Sequence, residues 1–472
     1  MAEKKYNIIK AASWYTIGNI LIKGINFFML PIFTRLMSTH EYGVYSIYIA
    51  YLTIFETIIL LGLSSTVAIA KYAKEIDFES YMSTVLAIPI TLSIIVMAVV
   101  NMIIPFWGDI LSMNSILWNC LLITSMTGAV CNIIGARLVI DGRYMRYLGY
   151  LGIHTIGNVA LSLAFCVTIY KAENVHLARV YGSTLSAIIS MLYLQVSTKT
   201  AFHFQKENIR YALAWGIPLF FHTVATVILT QSDRILIRYF GAYSSAGIYA
   251  VATTIITIPM VLQQSLQQAW IPWFYGKLDK KAYQEILWLN DRYIALFTFI
   301  IGGFMLVSPD LVHIFTGQNY WPCIYSLIPL ALSVFAELMY SIPISVEYYN
   351  KNTVYIMTAT LITVILNIIL DVLFIRLFGY HGAAYATALS KITLFLMHFR
   401  FAKKLDHHPM FHSRVLLISF LFLAGLNLLI VTSINILWIR LILLIILILF
   451  GGGYLIGNKE ILLKEIRNNT KQ

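Results

Sequence analysis

The chain has 472 residues, 59% hydrophobic and only 11% charged, with a mean hydropathy of +0.78 and a formal net charge of +12. A soluble globular protein carries about 25% charged residues, so this much apolar surface cannot be hidden in one water-soluble core, and the expected solvent is hydrocarbon. No stretch between apolar segments is long enough for a soluble catalytic or nucleotide-binding domain, and no GxxxxGK[ST] phosphate loop occurs. No enzyme and no cofactor are expected.

A spanning helix needs roughly 17–25 largely apolar residues. In chain order the candidates are 13–34, 44–67, 82–105, 115–138, 148–170, 175–196 and 213–239, then 245–269, 291–309, 323–346, 355–378, 383–401, 413–432 and 435–457. Their length and lack of period-two alternation make them helices rather than strands. The first segment is too long for a cleaved signal and has no small-residue cleavage site after it, so it stays a helix. The prediction is an all-α polytopic membrane protein of about fourteen transmembrane helices.

The basic residues alternate with these segments. The amino terminus holds Lys4, Lys5 and Lys10. Every second loop then receives bases: Lys71 and Lys74; Arg137, Arg143 and Arg146; Lys199, Lys206 and Arg210; Lys277, Lys280, Lys281 and Arg292; Lys351; Arg400, Lys403, Lys404 and Arg414; and the tail. The other loops hold little beyond Arg35, Lys171 and Arg179. This positive-inside pattern predicts that both termini are cytoplasmic. The charge is spread over many short loops, so it reads as topology and attraction to anionic lipid headgroups rather than as a nucleic-acid surface. The four cysteines, Cys120, Cys131, Cys166 and Cys323, show no metal-site or disulfide spacing and read as small packing residues.

An internal repeat runs at an offset of 204. It relates Gly43 and Tyr45 to Gly247 and Tyr249, and Tyr181, Leu185 and Ser186 to Tyr385, Leu389 and Ser390. The offset spans six helices, an even number, so the halves are expected as parallel repeats about an axis along the membrane normal. The predicted organisation is a six-helix lobe over 1–200, a second over 201–404, and two additional helices with a tail over 405–472. A substrate site is expected between the lobes near the midplane.

Several ionisable residues fall at membrane depth. Lys23 is mid-way along the first segment, Glu56 the second and Lys391 the twelfth. Glu337 lies just past the middle of the tenth, Asp371 about a turn past the middle of the eleventh, and Asp233 and Arg234 in the outer half of the seventh. Each costs about 2.5–3.5 kcal/mol at a helix centre, so each should face protein interior or a wet cavity. Two readings follow. One is structural pairing, for example Lys23 with Glu56. The other is a cationic cavity of Lys23, Arg234 and Lys391 suited to a phosphate or pyrophosphate. In that reading Asp233, Glu56, Glu337 and Asp371 serve ion coupling or charge pairing. Pro31, Pro89, Pro218, Pro259, Pro329, Pro343, Gly24 and Gly62 interrupt helices where bending is expected.

The segments LPIFTRLMSTHEYGVYSIY (30–48), GIPLFFHTVATVILTQSDRILIRYFG (216–241) and FGYHGAAYATALS (378–390), preceded by Asn367, resemble the polysaccharide-transport family. These are oligosaccharide flippases of the O-antigen type. They sit in the multidrug/oligosaccharidyl-lipid/polysaccharide exporter superfamily, beside multidrug exporters and lipid II flippases. The resemblance covers nearly the whole chain, with Ser232–Asp233–Arg234 matching best. It implies movement of a polyprenyl-pyrophosphate-linked oligosaccharide (an O-antigen, capsule or exopolysaccharide repeat unit) across the bacterial inner membrane. It further implies alternating access, ion antiport, and a setting that includes membrane lipids, a glycan polymerase and a chain-length regulator. A drug or metabolite exporter of the same superfamily needs acidic residues for a cationic cargo, and here acids and bases are mixed. A non-transporting scaffold needs no intramembrane charge.

Overall fold

The structure is a computed structural model, and it describes residues 24–25, 27–111, 113–171, 173–198, 203–434 and 436–457. Among the described residues it is built from helices, with no strand. In chain order these are α1 Leu30–Leu36, α2 Thr39–Leu60, α3 Leu63–Tyr72, α4 Phe78–Leu111, α5 Ser115–Ile140, α6 Tyr144–Thr168, α7 Val175–Thr198 and α8 Lys206–Phe240. They continue with α9 Tyr243–Ile255, α10 Thr257–Asp279, α11 Tyr283–Phe315, a 3-10 turn Gln318–Cys323, α12 Ile324–Tyr349, α13 Thr353–Phe378, α14 His381–Leu405, α15 Ser413–Thr432 and α16 Leu437–Gly457.

Among the described residues, eleven helical stretches are long and apolar enough to cross a membrane, and Leu437–Gly451 is a shorter apolar helix. The first predicted segment lies mostly outside the described residues. The twelfth is α14, whose polar residues lower its hydropathy. The chain is an all-α, multi-pass membrane protein. Its surface agrees, for Ile94, Val99, Met102, Val167, Phe221, Leu377, Leu421 and Phe450 are exposed, as lipid-facing side chains should be.

Helix ends follow local chemistry that hydropathy ignores. α2 begins five residues before the predicted 44 because Ser38 and Glu41 form a capping box. The Ser38 amide donates to the Glu41 carboxylate at 3.1 Å, and the Glu41 amide donates to Ser38 Oγ at 3.2 Å. The second predicted span is one path broken in its middle. Leu61 and Gly62 both adopt left-handed backbone, and α3 carries the chain onward. Gly62 is required there twice over, since a Cβ would lie 2.6 Å from the Gly216 carbonyl of α8. The eighth span is divided at Ile256, between α9 and α10, with the backbone there still right-handed. Prolines 218, 309, 329 and 343 sit inside their helices.

The chain forms two compact units, one ending at Val251 and the other starting at Ala252. In the first, α5 is the most buried span, packed against α2, α4 and α7. Its core joins Leu63, Val67, Tyr81, Met82, Ile133 and Leu138. In the second, α12 with its preceding turn is the most buried span, lying along α14. These two central helices start at Ser115 and at Gln318, about 204 residues apart. Within the second unit, α15 and α16 pack on α11 around an apolar cleft of about 520 Å³ lined by Phe299, Leu306, Phe422, Leu426, Leu447 and Phe450. Three of the cysteines are buried and all four are free.

Candidate functional site

The pair in the seventh segment falls in the last turns of α8. Asp233 is buried, and its carboxylate accepts a hydrogen bond from the Tyr249 hydroxyl of α9. Arg234 follows, with the Tyr249 and Tyr42 phenols and the Asp233 carboxylate as its electrostatic neighbours. One turn on, the Arg238 guanidinium stacks over the Tyr243 ring at 4.1 Å, a desolvated cation–π contact.

The repeat mates Gly43 and Gly247 lie at the same place, at a crossing of two helix starts. A Cβ on Gly43 would collide with the Tyr243 backbone carbonyl, and one on Gly247 would lie 2.8 Å from the Gly43 amide nitrogen. Only glycine at both positions lets α2 and α9 touch backbone to backbone. Close by, Arg179 of α7 is held between the rings of Phe33 and Tyr45 at 4.0 and 3.9 Å. Glu41 also accepts from the Val175 amide at 2.9 Å and lies 3.3 Å from the His176 ring. These contacts tie α1, α2 and α7 at that end. The opposite end of the unit carries a network in which Lys71 meets Asp141 at 3.0 Å and Arg137 reaches both Glu79 and Asp141.

Glu56 sits mid-way in the unit. Its carboxylate accepts from Asn132 Nδ2 at 2.6 Å, and the same amide donates to the Gly128 carbonyl at 3.1 Å. Gly128 is the seat of this carboxylate, since a Cβ there would lie 2.8 Å from Glu56 Oε1. Lys23 lies outside the described residues. The partner the structure gives Glu56 is a neutral amide, and Asn132 itself is exposed. Tyr150 and His154 of α6 stack nearby, with ring centroids 6.0 Å apart.

In the second unit the seam between α12 and α14 carries three polar links at three depths. Ser326 lies 3.0 Å from His381 Nδ1. Lys391 Nζ donates to Glu337 Oε2 at 3.3 Å. Glu347 and His398 meet with His398 Nδ1 3.0 Å from both carboxylate oxygens, and neither side chain has any exposed surface. Lys391 and Glu337, assigned separately from sequence, are therefore partners. Asp371 is fully buried on α13, one turn beyond the equally buried Asn367. Arg440 of α16 grips Asp310 of α11 with two bonds of 2.7 and 3.1 Å and also reaches the Leu306 carbonyl at 3.2 Å, anchoring the last helix to its unit.

Glu347, His398, Asp310 and Arg440 were not singled out from sequence. Glu347 and Asp310 fall one residue beyond the predicted ends of their segments, at 346 and 309, so a boundary placed one residue short turned membrane-depth acids into loop residues.

Solved transporter structures share this fold. Solved structures matching it include the lipid II flippase MurJ in an inward closed conformation, at TM-score 0.72 and 18% identity over 95% of this chain and 99% of that one. A multidrug resistance transporter of the MATE family, in its inward-facing conformation, matches at TM-score 0.65 and 13% identity over 84% and 97%. The chain belongs to the polysaccharide biosynthesis protein family, whose model matches residues 8–276. Among curated relatives, the Lsg locus putative protein 1 of Haemophilus influenzae is 23% identical over 76% of this chain and 89% of its own length. A probable low-salt glycan biosynthesis flippase, Agl15 of Haloferax volcanii, is 29% identical over 34% of each chain.

Proposed function

We propose that this chain is a flippase for a polyprenyl-pyrophosphate-linked oligosaccharide, an O-antigen or capsule-type repeat unit, acting by alternating access in the bacterial inner membrane with both termini cytoplasmic. The observation that carries the reading is family membership across residues 8–276 joined to an exporter fold that holds charged side chains at membrane depth. The glycan flippase among its relatives supports the cargo class. In this reading the moving lobes are 1–200 and 201–404, with 405–472 as an appendage.

A pyrophosphate crossing the membrane needs groups that replace its lost hydration. Lys23, Arg234 and Lys391 are the cations proposed for that work. Lys391 is held by Glu337, so a phosphate there competes with a carboxylate, which favours release as well as binding. Asp233, Glu56, Glu337 and Asp371 are the acids available for coupling to an ion gradient. A glycan polymerase and a chain-length regulator are its expected neighbours.

Deleting the gene in its own cell tests the reading. The expected result is loss of surface glycan with accumulation of the lipid-linked repeat unit on the cytoplasmic leaflet, restored by the wild-type gene. Unchanged glycan on the deleted strain contradicts it. A cationic-drug exporter instead predicts drug sensitivity with normal glycan.

A further inference from the structure

The Glu347–His398 pair has no place in the account above. It lies in the last third of α12 and of α14, wholly buried. His398 Nδ1 sits 3.0 Å from both oxygens of Glu347, and in the tautomer with hydrogen on Nδ1 that hydrogen is directed at the carboxylate. The other ring nitrogen, Nε2, is buried and has no hydrogen-bond partner among the described residues. A buried polar atom without a partner costs about 1–3 kcal/mol and calls for a reason. With Nδ1 as the donor, Nε2 carries a lone pair aimed into the protein. That lone pair is the seat for one proton.

We infer that Glu347 and His398 form a proton-binding site, which takes up and releases the ion that couples transport; this rests on the flippase reading for its role, though not for its chemistry. The step balances simply. One proton adds to Nε2, Nδ1–H stays directed at the carboxylate, and the pair changes from net −1 to net zero. No other atom changes hands. Histidine is the side chain suited to such a change near neutral pH.

The surroundings fit a carrier site. The Tyr340 ring lies against the imidazole at 5.5 Å between centroids, on the side toward Glu337 and Lys391. Glu337 and Glu347 are ten residues apart on α12, about 15 Å by helical rise. Tyr348 adjoins Glu347 in sequence, while Arg400 and Lys351 are exposed beyond the pair. Other charged groups on neighbouring helices are engaged or distant. On α10, Asp279 binds the Tyr349 hydroxyl, and Tyr275 packs on the Tyr349 ring at 5.8 Å. On α11, Asp291 binds His412 and Asp310 binds Arg440. α15 presents Phe420 to Phe335 and Phe395. On α13, Tyr355 stacks on Phe401 at 4.8 Å, which places Asp371, sixteen residues further along that helix, about 24 Å away along the axis.

Sealing is what a coupling site requires, since a site open to both sides would leak protons. Pro343 lies inside α12 between Tyr340 and Glu347, where it removes the backbone bond to the Met339 carbonyl. The turn that bears Glu347 can therefore swing on its own and open the pair to one side.

The test uses full-length protein with ¹⁵N-labelled histidine rings in lipid nanodiscs, titrated by nuclear magnetic resonance from about pH 5 to about pH 8.5, a window that brackets ordinary histidine. The expected result is one titrating imidazole whose Nδ1 stays protonated. Its signal disappears in His398→Gln and moves to lower pH in Glu347→Gln, where no anion favours the charged ring. In cells, His398→Gln should lower surface glycan at least tenfold at unchanged membrane level. A His398 signal constant over the whole range overturns the inference, as does full export by His398→Gln. If that variant fails to insert, the wild-type titration and its shift in Glu347→Gln still decide. The titration reads the proton site alone and the deletion phenotype reads the flippase alone, so either can fail without the other.

Discussion

Glu56 in the first unit and Glu347 in the second are both carboxylates on membrane-spanning helices, Glu56 near the middle of its span and Glu347 two residues from the end of α12, and the protein treats them in opposite ways. Glu56 rests on a glycine, is held by the neutral amide of Asn132, and keeps an exposed neighbour. Glu347 is sealed against a histidine with no exposure at all. A carboxylate held by a neutral amide gains a hydrogen bond but no countercharge from that partner. One sealed against a histidine has that ring as its partner, and in the proposed proton site the charge of the pair is set by a proton on Nε2. The contrast separates two ways to keep an acid in a membrane-spanning helix, one held by a neutral amide and one held by a titratable ring.

Removing one member of the sealed pair should have the largest effect on stability. Glu347→Leu or His398→Leu leaves a buried polar group without its mate, at a cost of about 3–5 kcal/mol where the group is charged. The double change to leucine should recover most of that loss. Thermal unfolding of the detergent-purified proteins checks this, and single variants as stable as wild type would erase the distinction between the two sites.

A smaller loss is expected where α2 crosses α9. Gly247→Ala places a methyl group 2.8 Å from the Gly43 backbone nitrogen, and backbone cannot turn aside. Overpacking of this kind costs about 1–3 kcal/mol. Gly276→Ala is the control, since nothing lies within 4 Å of a Cβ there, and helix propensity predicts a gain of about 0.5–1 kcal/mol. The same melting measurement reads both, and equal behaviour of the two alanines would remove the case for a steric crossing.

The smallest stability effect is expected at Glu56. Glu56→Gln keeps an acceptor for Asn132, so the fold should lose about 1 kcal/mol or less. Transport should nevertheless fall if that open charge couples to an ion. Surface glycan measured beside membrane protein level distinguishes the two, and undiminished export by Glu56→Gln would make its role structural.

Much of this fold was legible because hydrocarbon imposes a simple rule on sequence: long apolar runs, helical, with bases gathered in alternate loops. Gly43 and Gly247, which share a short sequence match, meet where α2 crosses α9. Helix ends were less legible. Hydropathy missed the start of α2 although the Ser38–Glu41 capping box was plain in the sequence. The site was half legible. Depth alone picked out Asp233, Arg234, Glu337 and Lys391, but the partner of each depends on helix register, which no local pattern encodes. Tyr249 as the partner of Asp233 and Glu337 as the partner of Lys391 required the packed helices.

The flippase account is tested most directly by following the cargo itself. Purified protein is placed in vesicles that contain a fluorescently tagged polyprenyl-pyrophosphate oligosaccharide, and a membrane-impermeant reagent reports how much is exposed on each leaflet. The account predicts that wild-type protein carries the tagged lipid across well above protein-free vesicles, and that Asp233→Asn loses most of this movement while still inserting. Movement no faster than in protein-free vesicles, with a folded wild-type protein and its native repeat unit, would contradict it.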